Sequence, residues 1–261
     1  MLKLIKKKIT NASLKKNPFP YLIIENFISK KDLINLNNEF PDFKNLNEKD
    51  VLLPSKSKNK KSILPNSKLH KKLLKKKIFQ KLNNSFAKIE PLIKKKFSEE
   101  IKKNVVKKYQ NSKLKYHMAI AMMKKGYIKS PHTDRRDHLI HCLFYVQSER
   151  NSGGDLKLFK TVKEEFFYDV FPSSKCIRKI KQFKIKPNFC IFTLNVPWAY
   201  HSVSKYNGNK DRKFIYAVYD FKIKLPGTTI KSRKKGFNLN QFWNKKVKVK
   251  SLNRKKIFLS E

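Results

Sequence analysis

Ser130-Pro131-His132-Thr133-Asp134 is the stretch on which the reading of this 261-residue chain turns. His132 and Asp134 are two residues apart, and on an extended chain that spacing points both side chains to one face. A second imidazole stands far downstream, in Tyr200-His201-Ser202. If the fold returns His201 to the first pair, two imidazoles and one carboxylate converge with neighbouring positions open. That donor set suits a non-haem Fe(II) centre, and imidazole and carboxylate also suit zinc. His132, Asp134 and His201 are therefore the candidate metal ligands.

The sequence around the stretch has a period of two. Tyr116–Met123 reads as a strand, and Lys124-Lys125-Gly126 turns the chain. His138–Gln147 is apolar on both faces, which marks a central strand. Gly153-Gly154 precedes the alternating Asp155–Phe159, and a buried strand follows at Asn188–Leu194. Asn207-Gly208 is the strongest turn dipeptide, and Arg212–Tyr219 is the last strand. Residues 160–181 read as irregular. About seven short strands within 111–225 predict an antiparallel barrel or jelly roll.

Upstream, the pattern is different. Residues 1–17 read as a basic lead. Pro18–Ile28 reads as a short strand, Ser29 as an N-cap with Asp32 three residues on, and Leu33, Leu36 and Phe40 as a helical stripe closed by Pro41. Residues 44–66 are polar and read as a long loop. Between 67 and 96, apolar residues recur at helical spacing from Leu69 to Ile89, predicting one or two lysine-faced amphipathic helices against the sheet, with Pro91 as a break or restart. The expected organisation is 1–110, an N-terminal strand and supporting helices packed on the core; 111–225, the β core; and 226–261, a basic C-terminal extension.

The order of these motifs resembles the 2-oxoglutarate- and Fe(II)-dependent oxygenases of the prolyl 4-hydroxylase type. The resemblance covers about residues 18–222. It rests on His132-Thr133-Asp134, then Phe144-Tyr145-Val146, Gly153-Gly154-Asp155-Leu156-Lys157-Leu158-Phe159, Phe189–Phe192, His201-Ser202-Val203, and Arg212 opening the last strand. It implies a mainly β (α+β) protein: a double-stranded β-helix, jelly-roll or cupin-like, with N-terminal supporting helices. It also implies Fe(II) on His132, Asp134 and His201, 2-oxoglutarate as cosubstrate, O2, and ascorbate as a reductant. Arg212 would meet the distal carboxylate of 2-oxoglutarate, Tyr145 would hydrogen-bond it, and Leu143 would pack on its chain. The implied activity is hydroxylation of a small-molecule or peptidyl substrate: a peptidyl proline, an amino acid or a glycan. Arg135, His141 and Trp198 are candidate substrate-facing residues; a local ion pair is the alternative for Arg135, and core packing for Trp198. His117 and His138 read as hydrogen-bonded strand histidines and His70 as solvent-facing. Glu164-Glu165 have no metal spacing.

Composition constrains the partners. Lys+Arg total 63 against 19 Asp+Glu, a net charge of +44, yet only seven of the 63 are Arg. Sites that read phosphates and bases rely on the Arg fork. The excess runs along the whole chain: +20 over 1–110, +14 over 111–225 and +10 over 226–261. Genome composition and a solvated surface account for it, with weak non-specific polyanion binding through the surface and tail. The alternative function is a basic RNA- or ribosome-binding β-barrel without oxygenase turnover. Apolar residues at 39% are enough for a globular core and argue against wholesale disorder. Three cysteines without a C-x-x-C pair suggest a reducing compartment and buried apolar roles. With no apolar run long enough for a signal or a span, no membrane insertion and a cytoplasmic location are expected.

Overall fold

The computed structural model describes residues 1–44, 46, 48–52, 59–135, 137–162, 171–222 and 242–244. Helix α1 (Leu2–Asn11) leads to strand β1 (Tyr21–Ile24) and helix α2 (Lys30–Asn38). Strands β2 (Val51–Leu52) and β3 (Lys60–Ile63) precede five helices: α3 (Lys68–Lys75), α4 (Lys77–Lys88), α5 (Glu90–Lys96), α6 (Ser98–Asn104) and α7 (Lys107–Gln110). Eight strands follow: β4 (Leu114–Met123), β5 (Lys129–His132), β6 (His138–Gln147), β7 (Leu156–Thr161), β8 (Ile177–Phe183), β9 (Phe189–Leu194), β10 (His201–Val203) and β11 (Arg212–Phe221).

The strands form two antiparallel sheets. The larger runs β1-β9-β6-β11-β4-β3-β2 and the smaller β5-β10-β7-β8. Side chains of β6 and β9 meet those of β7 and β10 around one small cavity, so the sheets face each other as a double-stranded β-helix. The helices cover the other face of the larger sheet. Tyr219 on β11 donates to the Phe86 carbonyl on α4 at 2.8 Å, and Tyr116 on β4 donates to Asn83 at 3.0 Å. Apolar side chains from helices and sheets make one continuous core.

Local sequence accounts for most boundaries. Ser29 caps α2 by accepting from the Asp32 N–H, and its hydroxyl donates to the Asp32 carboxylate; such a cap stabilises a helix by about 1 kcal/mol. Ser67 caps α3 in the same way through the His70 N–H. Pro91 sits in the first turn of α5, where its missing N–H costs nothing.

Four sequence expectations change. Residues 1–17 contain α1, held by Ile5 and Ile9, both 0% exposed, one turn apart among lysines. The stretch 44–66 contains the β2–β3 hairpin, which extends the larger sheet beyond β4; its sole described strand residues with buried side chains are Val51 and Ile63, too few to show a period. Part of 160–181 is β8, an edge strand whose outward Arg and Lys residues mask the pattern. His70 is buried rather than solvent-facing, its Nε2 2.9 Å from the Met118 carbonyl. Asn207-Gly208 lies in the connection from β10 to β11, which belong to different sheets. Of the C-terminal extension, Phe242 to Asn244 dock on the α6–α7 connection and the end of β11: Val106 N–H donates to the Phe242 carbonyl, and the Phe242 ring stacks on Phe221 at 4.5 Å. The rest of 226–261, Arg136 and Glu164-Glu165 lie outside the described residues.

Candidate metal centre

Antiparallel pairing of β10 with β5 brings the two halves of the motif together. His201 lies opposite His132 in the register, although 69 residues separate them in the chain. Their rings are 4.4 Å apart between centres. Strand β5 ends at His132, so Asp134 projects from the coil immediately after it. One ligand atom each from His132, Asp134 and His201 fits within 4.8 Å of the others.

The backbone sets the imidazole tautomers. His132 Nδ1 lies 2.8 Å from the Ser130 carbonyl, and His201 Nδ1 lies 3.0 Å from the Ala199 carbonyl. A carbonyl accepts only, so each Nδ1 carries a proton, which leaves Nε2 as the nitrogen available to a metal. This is the outer support that metal-binding histidines generally have. Burial, reinforced by His201, lowers the His132 pKa to about 3 against the opposing pull of Asp134, so the ring is neutral near pH 7. Burial pushes the Asp134 carboxyl up, but the surrounding histidines, His141 foremost, outweigh it and hold the group well below the usual range.

Asp134 Oδ2 carries the strongest indication of a cation. It is buried and has no aligned hydrogen bond, although it lies 2.7 Å from His141 Nδ1 and 3.6 Å from His201 Nε2. Thr133 Oγ1 beside it is also buried without a partner. His141 meets this oxygen from one side, and a divalent cation between it and the His132 and His201 imidazoles would complete its compensation. Two imidazoles and a carboxylate suit Fe(II) by type and number, and they suit zinc as well.

The remaining candidates occupy different positions. His141 stacks flat on Tyr216, with ring centres 5.2 Å apart, and orients Asp134 from behind. Leu143 lines the small cavity below His141 and His201, together with Leu156, Leu158 and Ile191. Tyr145 is 1% exposed at the closed end of the same face. Arg212 is 0% exposed and stands near both Tyr145 and Tyr206, its Cζ 5.9 and 4.4 Å from the two ring centres. The Arg212 fork already holds protein acceptors. Nε donates to Ser148 Oγ at 2.9 Å, Nη1 to the Gly154 carbonyl at 2.5 Å, and Nη2 to the Gly153 carbonyl at 2.6 Å. Arg135 is paired with Asp137 through two hydrogen bonds of 3.0 and 2.6 Å, the local alternative foreseen for it. Trp198 packs part-buried against the core near His201.

Sequence reading missed two lysines here. Lys60 Nζ donates to the Tyr216 hydroxyl at 2.5 Å, and Lys129, on β5 ahead of His132, lies 5.1 Å from the Phe171 ring centre. Burial lowers the pKa of both, and the field of Asp134 partly restores it. A second His–Asp–His group also forms on β4, β6 and β11: Asp220 bonds His138 and lies 3.2 Å from His117.

No protein-family model matches the chain, and no curated protein sequence matches it. Solved structures do match. A Pseudomonas putida prolyl-4-hydroxylase superposes with a TM-score of 0.53 at 10% identity, over 85% of this chain and all of the other. The non-haem α-ketoglutarate-dependent epimerase SnoN from nogalamycin biosynthesis gives 0.51 at 10% identity, over 87% of this chain and 88% of the other. At such identities the likeness establishes the fold, and the chain has the double-stranded β-helix fold of these two proteins. One is a hydroxylase and the other an epimerase, so the fold by itself does not fix a reaction. No helix among the described residues is long and apolar enough to cross a membrane.

Proposed function

We propose that the protein is an Fe(II)- and 2-oxoglutarate-dependent dioxygenase of the hydroxylase type. It couples oxidative decarboxylation of 2-oxoglutarate to C–H oxidation of a small-molecule or peptidyl substrate, such as a peptidyl proline, an amino acid or a glycan. The observation that carries this reading is the convergence of the buried Asp134 carboxylate with the His132 and His201 imidazoles, each of which has its Nδ1 tied to a backbone carbonyl. His132, Asp134 and His201 would hold the iron, which when bound supplies the redox centre for O2 and the 2-oxo acid.

The protein's own groups prepare that site. The Ser130 and Ala199 carbonyls fix both imidazoles as Nε2 donors. His141 and the Tyr216 ring behind it keep Asp134 aimed inward. Leu143, Leu156 and Leu158 keep water from the floor of the centre. Arg212 gives the closed end a positive potential suited to a dianion.

The test is aerobic incubation with Fe(II), ascorbate and 2-oxoglutarate, with succinate measured. Wild type is expected to form succinate even without the oxidised substrate, and His132→Ala is expected to form none. Equal, negligible succinate from both, with no Fe(II) uptake by wild type, would overturn the proposal.

A further inference from the structure

Strand β5 carries one residue more than its partner β10. His132 lies opposite His201 and Lys129 lies opposite Val203, so three steps along β5 match two along β10. Residues directly opposite share a face, and His201 and Val203, two apart on β10, share theirs. The bulge therefore turns Lys129 onto the inner face, with the two proposed metal-ligating histidines. In a regular strand the spacing of three would point Lys129 outward. β5 is an edge strand of the smaller sheet, a common place for a bulge that re-aims a side chain.

The re-aimed ammonium meets an aromatic ring that is open to solvent. Phe171 is 46% exposed, one of four exposed large apolar side chains among the described residues. Its ring centre lies 5.1 Å from Lys129 Nζ and 6.2 Å from that of His132, with the two rings 25° from parallel. A charged amine and an exposed ring thus stand together beside a proposed metal ligand. Among the described residues, no carboxylate lies within ion-pair distance of Lys129. Burial lowers the Lys129 pKa, Lys60 lowers it further, and Asp134 opposes them. A desolvated ammonium with an aromatic neighbour gains most from an anion. The net charge of +44 draws anions towards the protein. Arg135, which follows Asp134, is already paired with Asp137. Phe171 offers a flat apolar surface for the rest of such a molecule.

We propose that the oxidised substrate carries a carboxylate or phosphate beside an apolar body, that Lys129 holds the anionic group, and that Phe171 packs on the body. This rests on the proposed oxygenase chemistry and narrows its substrates to acidic ones. It concerns the substrate side alone and leaves the role implied for Arg212 unchanged.

The test is proton NMR of small probes on protein loaded with Mn(II) and saturating 2-oxoglutarate, without O2. Mn(II) broadens only a probe held near it, so anions bound elsewhere on the basic surface are not counted. The probes are benzoate, phenyl phosphate and the neutral benzamide. Wild type is expected to hold benzoate or phenyl phosphate about 10-fold or more tighter than benzamide, the scale of one charge-assisted contact. The tighter of the two identifies the anionic group as carboxylate or phosphate. Lys129→Met is expected to bring that preference to within about threefold of unity, and Lys129→Arg to keep it. Phe171→Ala should weaken all three probes. Lys157→Met, between the inward Leu156 and Leu158 and so on the outer face of β7, should change nothing. No broadening, or equal broadening of all three probes, in wild type overturns the inference. So does a preference that survives Lys129→Met or is lost equally in Lys157→Met, and so does unchanged binding of every probe in Phe171→Ala. Wild type that fails to hold Mn(II) and 2-oxoglutarate together overturns the oxygenase reading itself.

Discussion

Asp134→Ala removes the one anionic member of the proposed triad, and its effect on metal-linked stability can be worked out in advance. Metal that binds only the folded state adds RT ln(1 + [metal]/Kd), about 2.7 kcal/mol at a free concentration about 100 times Kd. In a chain of this size, 1 kcal/mol moves the melting temperature by about 2–4 °C. Saturating Mn(II) should therefore raise the wild-type midpoint by about 5–10 °C. In Asp134→Ala the two imidazoles remain, but the buried oxygen that faces them is gone. At the same Mn(II) concentration its shift should be below about 2 °C, and His132→Ala should behave alike. His141→Ala is the informative control: His141 lies 2.7 Å from Asp134 but is outside the ligand set, so most of the shift should survive. The assay is thermal unfolding with and without Mn(II), each variant compared with its own metal-free form. An equal shift in wild type and Asp134→Ala would refute the assignment. So would a shift abolished by His141→Ala and spared by His132→Ala.

Other outcomes follow from the same structure. Gly154 has a φ of +63°, and a Cβ there would run into Arg212 Nη1. Gly154→Ala combines the left-handed penalty with a disturbed guanidinium contact and should cost about 3 kcal/mol, a drop of about 6 °C or more in thermal unfolding. His70→Ala leaves the Met118 carbonyl without its partner and opens a cavity between α3 and β4; chemical denaturation should show a loss of about 2 kcal/mol. Burial alone would lower the His138 pKa, but its hydrogen bond to Asp220 raises it; burial would raise Asp220, but the two histidines lower it to about 2. The His138 contribution is present below its unfolded pKa and lost as pH rises through the raised folded value. The Asp220 contribution is present above its unfolded pKa and lost as pH falls towards 2. Asp220→Asn should therefore flatten the melting-temperature profile on both flanks; unchanged slopes would contradict the pairing.

The sequence exposed the parts of the molecule where one kind of residue dominates. The β core was legible because β6 and β9 are buried on both faces and read as apolar runs. The triad was legible because only six histidines compete for the role and two of them carry the motif. The α1 helix, the β2–β3 hairpin and β8 were not legible, because each sets one or two buried apolar residues among lysines or arginines. Lys60 was hidden for the same reason: one inward ammonium among 56 lysines carries no local mark. Its direction is set by pairing with β4, a contact about 60 residues away that only the folded chain reveals. The commitment of the Arg212 fork was equally out of reach, since its acceptors are backbone carbonyls.

His132, Asp134 and His201 are proposed to present one metal to a 2-oxo acid. That assignment is tested most directly by visible absorption of the Fe(II)-loaded protein under anaerobic titration with 2-oxoglutarate. A chelated 2-oxo acid on Fe(II) gives a metal-to-ligand charge-transfer band. This band should grow to saturation in wild type and be missing in Asp134→Ala and His201→Ala. Iron-loaded wild type that develops no band, or a band of equal strength in either variant, would contradict it.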